Sequence, residues 1–279
     1  MLLRFTKMHG LGNDFMVVDL ISQNTTLNPE LIKELSDRRF GIGFDQLLTV
    51  RPPAKPDSDF RYTIYNADGS EAEQCGNGAR CLLRFVLDEG LTTKSTIRLE
   101  TSNAIISCKL EEDGNITVDM GKPALRPGNV PFVADRPQTK YALSLGPNYP
   151  DTFSISALNM GNPHAIITVT STDSAPVLEV GPLIESHPRF PEGVNVGFME
   201  IVSRKKIKLR VFERGVGETK ACGSGACAAV VAGRIQGVLD DTVEVQLTGG
   251  DLSVTWGGND DTIKMTGPAC KVYEGQLQI

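Results

Sequence analysis

No stretch of this chain approaches the ~20 consecutive apolar residues that a membrane-spanning helix needs. The opening run, MLLRFTKMHG, is interrupted by Arg4 and Lys7 and does not read as a secretory signal. The expectation is a cytoplasmic protein with no membrane partner. Positive charge is not in excess: 28 Lys and Arg stand against 34 Asp and Glu, a net charge of −6. Nucleic-acid binders usually present a basic face, so this balance argues against that role. The dithiol spacing Cys-x-x-Cys is missing, which argues against thioredoxin-like redox work. Low-complexity segments and short-period repeats are missing too. What is there is ordinary for a globular protein with a core: 40% apolar and 22% charged residues. The 279 residues suffice for one large domain or two modest ones. The six cysteines are even in number, but in a long chain without a secretory signal they are expected as reduced thiols.

Local patterns give mostly strands. NPELIKELSDR predicts a helix, with Asn28 as N-cap and Pro29 in the first helical position. Strands are predicted at Phe60 to Asn66, Thr96 to Thr101, Ala165 to Thr170, Asn195 to Val202, Lys206 to Arg214, Thr242 to Gly249 and Asp251 to Trp256. A hairpin turns at Asp113-Gly114-Asn115. The Pro- and Gly-rich passage from Lys122 to Pro150 is the candidate boundary between two halves. Two further helices begin at cysteines. CGNGARCLLRFVLDEG stops at Gly90. CGSGACAAVVAGRIQG is apolar all round from Ala226 to Ala232, which predicts a helix buried on every face. The expected fold is α/β (α+β): two pseudo-symmetric halves, each a curved, mostly antiparallel sheet wrapped around a central helix.

The two cysteine turns belong to a longer repeat. GNDFMVV begins at Gly12 and GNPHAII at Gly161. Asn13 precedes Gln46 by 33 residues, and Asn162 precedes Asn195 by the same 33. Nine residues before each cysteine stand Asn66 and Glu213, each ending a predicted strand. Such halves would pack about a pseudo-twofold axis, with Cys75 and Cys222 facing each other across a cleft. Asn13, Gln46 and Asn66 would line it from one side; Asn162, Asn195 and Glu213 from the other.

A cysteine at a helix N-terminus is expected to have a lowered pKa, because the dipole and free N–H groups favour thiolate. The same N–H groups can hold a carboxylate. Two such turns would place one sulfur on each face of the carbon beside that carboxylate. One thiolate removes the α-proton, and the other thiol delivers a proton to the opposite face. Arg214, beside Glu213, could clamp a substrate carboxylate in bidentate fashion. His164, inside the Asn162 landmark, is placed near a thiol.

Taken alone, each cysteine fits a small buried hydrophobe as well. Zinc is disfavoured: the two cysteine pairs lack knuckle spacing, and Cys81 would lie about 240° around the helix from Cys75. Phosphate binding lacks a Lys-Ser/Thr partner, and the dinucleotide fingerprint is incomplete. Cys81, Cys108, Cys227 and Cys270 are read as structural. A carboxylate-binding module without activity stays open, as does a proline racemase-like enzyme with the same two-cysteine logic.

The motifs MHGLGNDF, GFDQLL, YNADGSEAEQCGNGARC, MGNPHA, EGVNVGF and FERGVGETKACGSGACA resemble the diaminopimelate epimerase family over most of the chain. The resemblance implies a cofactor-independent, pyridoxal-phosphate-independent isomerase interconverting LL- and meso-2,6-diaminopimelate in lysine and peptidoglycan precursor synthesis. It implies a small-molecule substrate, no metal and a homodimer with Tyr273 at its interface. It implies halves of 1–121 with 268–279, the tail returning to the first half, and 122–267. Carried over, Cys75 and Cys222 are the acid–base pair. Asn13, Gln46, Asn66, Gly76, Asn77, Asn162, Asn195, Glu213, Arg214, Gly223 and Ser224 bind substrate, and His164 and Glu213 tune the thiols.

Overall fold

Asn28 caps the first helix as its sequence predicts. In the computed structural model, which describes residues 2–72, 75–146, 149 and 152–279, its Oδ1 accepts from Leu31 N–H at 2.8 Å. Helix α1 then runs Pro29–Ser36 and buries Ile32 and Leu35. Helix α2 is Gly76–Asp88, α3 is Val177–Glu185 and α4 is Gly223–Ile235. Gly90, at φ 66°, closes α2 in the left-handed conformation that costs glycine least. On α4 every residue from Ala226 to Gly233 is buried, as an all-apolar helix requires.

Among the described residues the rest of the regular structure is strand apart from one 3-10 turn, and the contacts divide into two compact units, Met1–Asp119 with Thr266–Ile279 and Met120–Met265. In the first, Cys270–Gln278 pairs antiparallel with Leu2–Gly10, which pairs antiparallel with Asn13–Asp19. That strand runs parallel to Gln46–Arg51, with α1 as the crossover, and Gln46–Arg51 is antiparallel to Phe60–Asn66. Phe60–Asn66 carries a short antiparallel partner, Glu71–Ala72, and a parallel one, Thr96–Glu100. The hairpin of Ile105–Leu110 and Ile116–Asp119 completes the order. Helix α2 packs inside these strands.

The second unit repeats the scheme pairing by pairing. Tyr141–Ser144, Thr152–Asn159 and Pro163–Val169 are successively antiparallel. Pro163–Val169 runs parallel to Asn195–Ser203, with α3 as the crossover, and Asn195–Ser203 is antiparallel to Lys206–Glu213. Lys206–Glu213 carries the short antiparallel Gly217–Thr219 and the parallel Thr242–Leu247, followed by Gly250–Thr255. Helix α4 sits inside. Even the register agrees: Phe15 stands opposite Gln46, and His164 opposite Asn195. Each is two residues beyond the asparagine that opens its half of the repeat.

The Pro-rich boundary passage from Lys122 carries a single 3-10 turn at Pro127–Asn129 and the strand Tyr141–Ser144, and its end at Pro150 lies outside the described residues. No helix among the described residues is long and apolar enough to cross a membrane.

Candidate active site

In the first unit the strand ends deliver the side chains. Gln46 and Asn66 are directly opposite across an antiparallel pair, and Gln46 Nε2 donates to Asn66 Oδ1 at 3.0 Å. Asn13 opens the neighbouring strand, so all three lie at one end of the sheet. Cys75 meets them there. It is the N-cap of α2, with φ −142° and ψ 110°, and its Sγ accepts from Gly78 N–H at 3.4 Å. As a thiol it donates to Asn13 Oδ1 at 3.7 Å, and Asn77 Nδ2 donates to the same oxygen at 3.2 Å. Gly78 has to be small: a Cβ there would fall 2.3 Å from Tyr62 Oη. That hydroxyl donates to the Cys75 carbonyl at 3.4 Å, pinning the turn from outside.

The second unit builds a counterpart with one chemical difference. Asn195, buried, donates to the Pro163 carbonyl at 3.0 Å and accepts from Arg214 N–H at 3.0 Å. His164 Nε2 lies 2.8 Å from Asn162 Oδ1. Burial, reinforced by the charge of Arg214, pushes the His164 pKa down to about 3, so the ring is neutral. Cys222 caps α4 and is 4% exposed. Its thiol donates to Glu213 Oε2 at 3.1 Å, and Ser224 Oγ lies 3.6 Å away. Where Cys75 faces a neutral amide, Cys222 faces a carboxylate.

That difference corrects the expectation of a lowered thiol pKa at this turn. Burial, then the negative charge of Glu213, pushes the Cys222 thiol well above its ordinary value, and the N–H of Gly225 and the hydroxyl of Ser224 only partly offset this. The dipole of a helix N-terminus is worth about 1 kcal/mol and loses to desolvation in a site this dry. Glu213 therefore tunes Cys222 upward.

The structure brings Asn13, Gln46, Asn66, Cys75 and Asn77 to one site, and Asn162, His164, Asn195, Glu213, Arg214, Cys222 and Ser224 to strand ends and turns of the other unit. Arg214 is held by its Nη1 donating to the Glu192 carbonyl at 2.8 Å. Tyr273 stands apart on the outer strand, 45% exposed, with its ring edge-on to Phe5 at 6.0 Å. None of the six cysteines forms a disulfide; Cys81, Cys108 and Cys227 are buried, whereas Cys270 is exposed and not explained by packing. Sequence reasoning missed Thr219, whose hydroxyl donates to Glu213 Oε1 and fixes the carboxylate that faces Cys222. It also missed Tyr62. Neither lies in the repeated landmarks, and only the fold carries them to the turns.

Comparison with known proteins gives a consistent result. The family model described as diaminopimelate epimerase matches residues 5–126 and 156–272. The diaminopimelate epimerase of Ectopseudomonas mendocina (strain ymp) is 55% identical over 279 residues, covering 100% of both chains. That of Azotobacter vinelandii is also 55% identical over the full length of both. Among solved structures, a hydroxyproline epimerase from Agrobacterium vitis matches with a TM-score of 0.70 at 13% identity, over 99% of this chain and 92% of that one. A PhzF-family phenazine biosynthesis protein from Bacillus anthracis matches at 0.69 and 17% identity, over 100% of both. These two matches carry the fold alone: the mixed α/β, pseudo-symmetric architecture.

Proposed function

This chain belongs to the diaminopimelate epimerase family, and from that premise we propose that it interconverts LL- and meso-2,6-diaminopimelate with Cys75 and Cys222 as the acid–base pair. The observation that carries the reading is the doubled turn: one thiol at the N-terminus of each of two equivalent helices, each bonded to a side chain at the strand ends of its own unit. Inverting a stereocentre needs one group to remove the α-proton and another to supply a proton from the opposite face. General acid–base groups typically contribute ~10²–10⁴-fold each. The N–H groups of Gly76 and Gly223 and those beyond them would stabilise charge growing on the α-carboxylate.

Cys222, held as a thiol by burial and Glu213, starts as the proton donor. When the reaction runs the other way, Glu213 is the group placed to draw its proton off. Asn13, Gln46, Asn66, Asn77, Asn162, Asn195, Glu213, Arg214 and Ser224 bind substrate. Their amides, carboxylate and guanidinium suit a substrate with two charged amino-acid ends. His164 stays neutral and orders Asn162. The reaction written this way calls for no cofactor. It serves lysine and peptidoglycan precursor synthesis in the cytoplasm, with the chain working as a homodimer. The half-exposed Tyr273 beside Val272, 55% exposed, supports an interface on that outer strand.

The test is direct. Purified chain is given LL-diaminopimelate without pyridoxal phosphate, and the meso isomer is measured. Conversion is expected; none, or turnover of proline instead, overturns the reading.

A further inference from the structure

Arg80 is the largest fully buried side chain among the described residues, and it is a cation. A buried guanidinium is costly unless it is well bonded. It lies one turn into α2, with Nε donating to the Pro268 carbonyl at 3.1 Å and Nη2 donating to Asn77 Oδ1 at 3.0 Å. Gly10 leaves it room: a Cβ there would stand 3.0 Å from Nη2. From Asn77 the bonds continue, Asn77 Nδ2 to Asn13 Oδ1 and Asn13 Nδ2 to Asp45 Oδ2 at 3.0 Å. Asp45 is held in turn by Arg38 at 2.8 Å.

Those two asparagines sit between a group that only donates and a group that only accepts. A guanidinium has no acceptor, and a carboxylate has no hydrogen to give. Asn77 must therefore turn its oxygen to Arg80 and its nitrogen to Asn13. Asn13 must turn its nitrogen to Asp45 and its oxygen to Asn77. The oxygen so fixed is the one that accepts from the Cys75 thiol. We propose that Arg80 and Asp45 are positioning residues that lock the Asn77 and Asn13 amides in one sense, so that Cys75, whenever it carries the proton, meets an acceptor that aims it. The inference rests on Cys75 being an acid–base group of the reaction.

Replacing either end by a group that both donates and accepts releases the lock without emptying the site. Arg80→Gln and Asp45→Asn each lower kcat about tenfold, the worth of one properly made hydrogen bond. Arg80→Lys keeps a donor-only cation and retains kcat within about threefold. A residue that only fills space would not distinguish lysine from glutamine. Thermal midpoints of all three variants are measured beside the kinetics. Asp45, whose side chain is 45% exposed, gives a variant that folds even where a buried glutamine does not. Wild type and Cys75→Ala are assayed in parallel. An active wild type, an inactive Cys75→Ala, and Asp45→Asn with unchanged kcat overturn the lock alone. So does Arg80→Lys as impaired as Arg80→Gln. An inactive wild type, or an active Cys75→Ala, removes the proposed function and the lock with it.

Discussion

At the scale of single residues the two thiols are equivalent in position and unequal in surroundings. Replacing either Cys75 or Cys222 with Ala is expected to lower turnover by ~10²–10⁴-fold in both directions with the fold intact, because each direction uses both groups. Steady-state rates from each isomer check this. Glu213 separates the two chemically. Its charge adds to burial in raising the Cys222 pKa, so Glu213→Gln removes the charge while the burial stays, and the pKa is expected to fall. In a Cys75→Ala background, the pH of half-maximal alkylation of Cys222 should move down on adding Glu213→Gln. A midpoint that stays put or rises would show that burial alone sets the titration. Asn13, Gln46, Asn66, Asn162, Asn195 and Glu213 were legible as a group because spacing repeats and polar residues at strand ends have few other causes. Thr219 and Arg80 were not. A threonine in a short strand and an arginine inside a helix each have an ordinary surface reading, and only burial and partners reveal their work.

Among the elements, α2 and α4 were plain in the sequence because cap, apolar run and closing glycine agree. Helix α3 was not. It has no side-chain cap and carries Pro182 within, and both argue locally against a helix. Packing overrides them, since Val177, Val180 and Ile184 enter the core of the second unit. The strand Leu2–Gly10 was hidden by Lys7, which is buried through an ion pair with Asp14 instead of facing water. The outer strand Cys270–Gln278 is exposed along most of its length and alternates only from Glu274 on. The turn into α2 is tightly packed. Gly78→Ala would gain about 1 kcal/mol of helix propensity but force a methyl into Tyr62, costing ~1–3 kcal/mol. A net destabilisation is expected, together with lost activity as the Cys75 turn shifts. Gly128→Ala, with open space around it, should stay within ~0.5 kcal/mol of wild type. Denaturant midpoints of the two decide it.

For the whole molecule, the repeat puts one helix-capping cysteine in each compact unit. A single mobile base could return the hydrogen that it removed. Two separate groups do not: product takes its proton from the second thiol, which has exchanged with solvent before turnover. In D₂O, below a tenth of conversion, deuterium is expected at the α-carbon of product while remaining substrate stays almost unlabelled, starting from either isomer. Label entering substrate as fast as product in both directions would assign both faces to one base.

The first unit closes with a strand from the far end of the chain, Leu2 pairing Gln278 and His9 pairing Cys270. The second unit is one continuous segment. During synthesis these two facts impose an order. The pairings from Tyr141–Ser144 to Gly250–Thr255 are complete once Met120–Met265 has left the ribosome, whereas Leu3 and Phe5 wait for Cys270–Gln278 to cover them. Long-range pairing is slow, and unpaired strands invite association. The nascent protein therefore carries an open sheet edge through most of its translation, and the half holding Cys75 matures last. Chains stalled with their final strand still in the exit tunnel should lose residues 2–119 to protease while 120–265 resists.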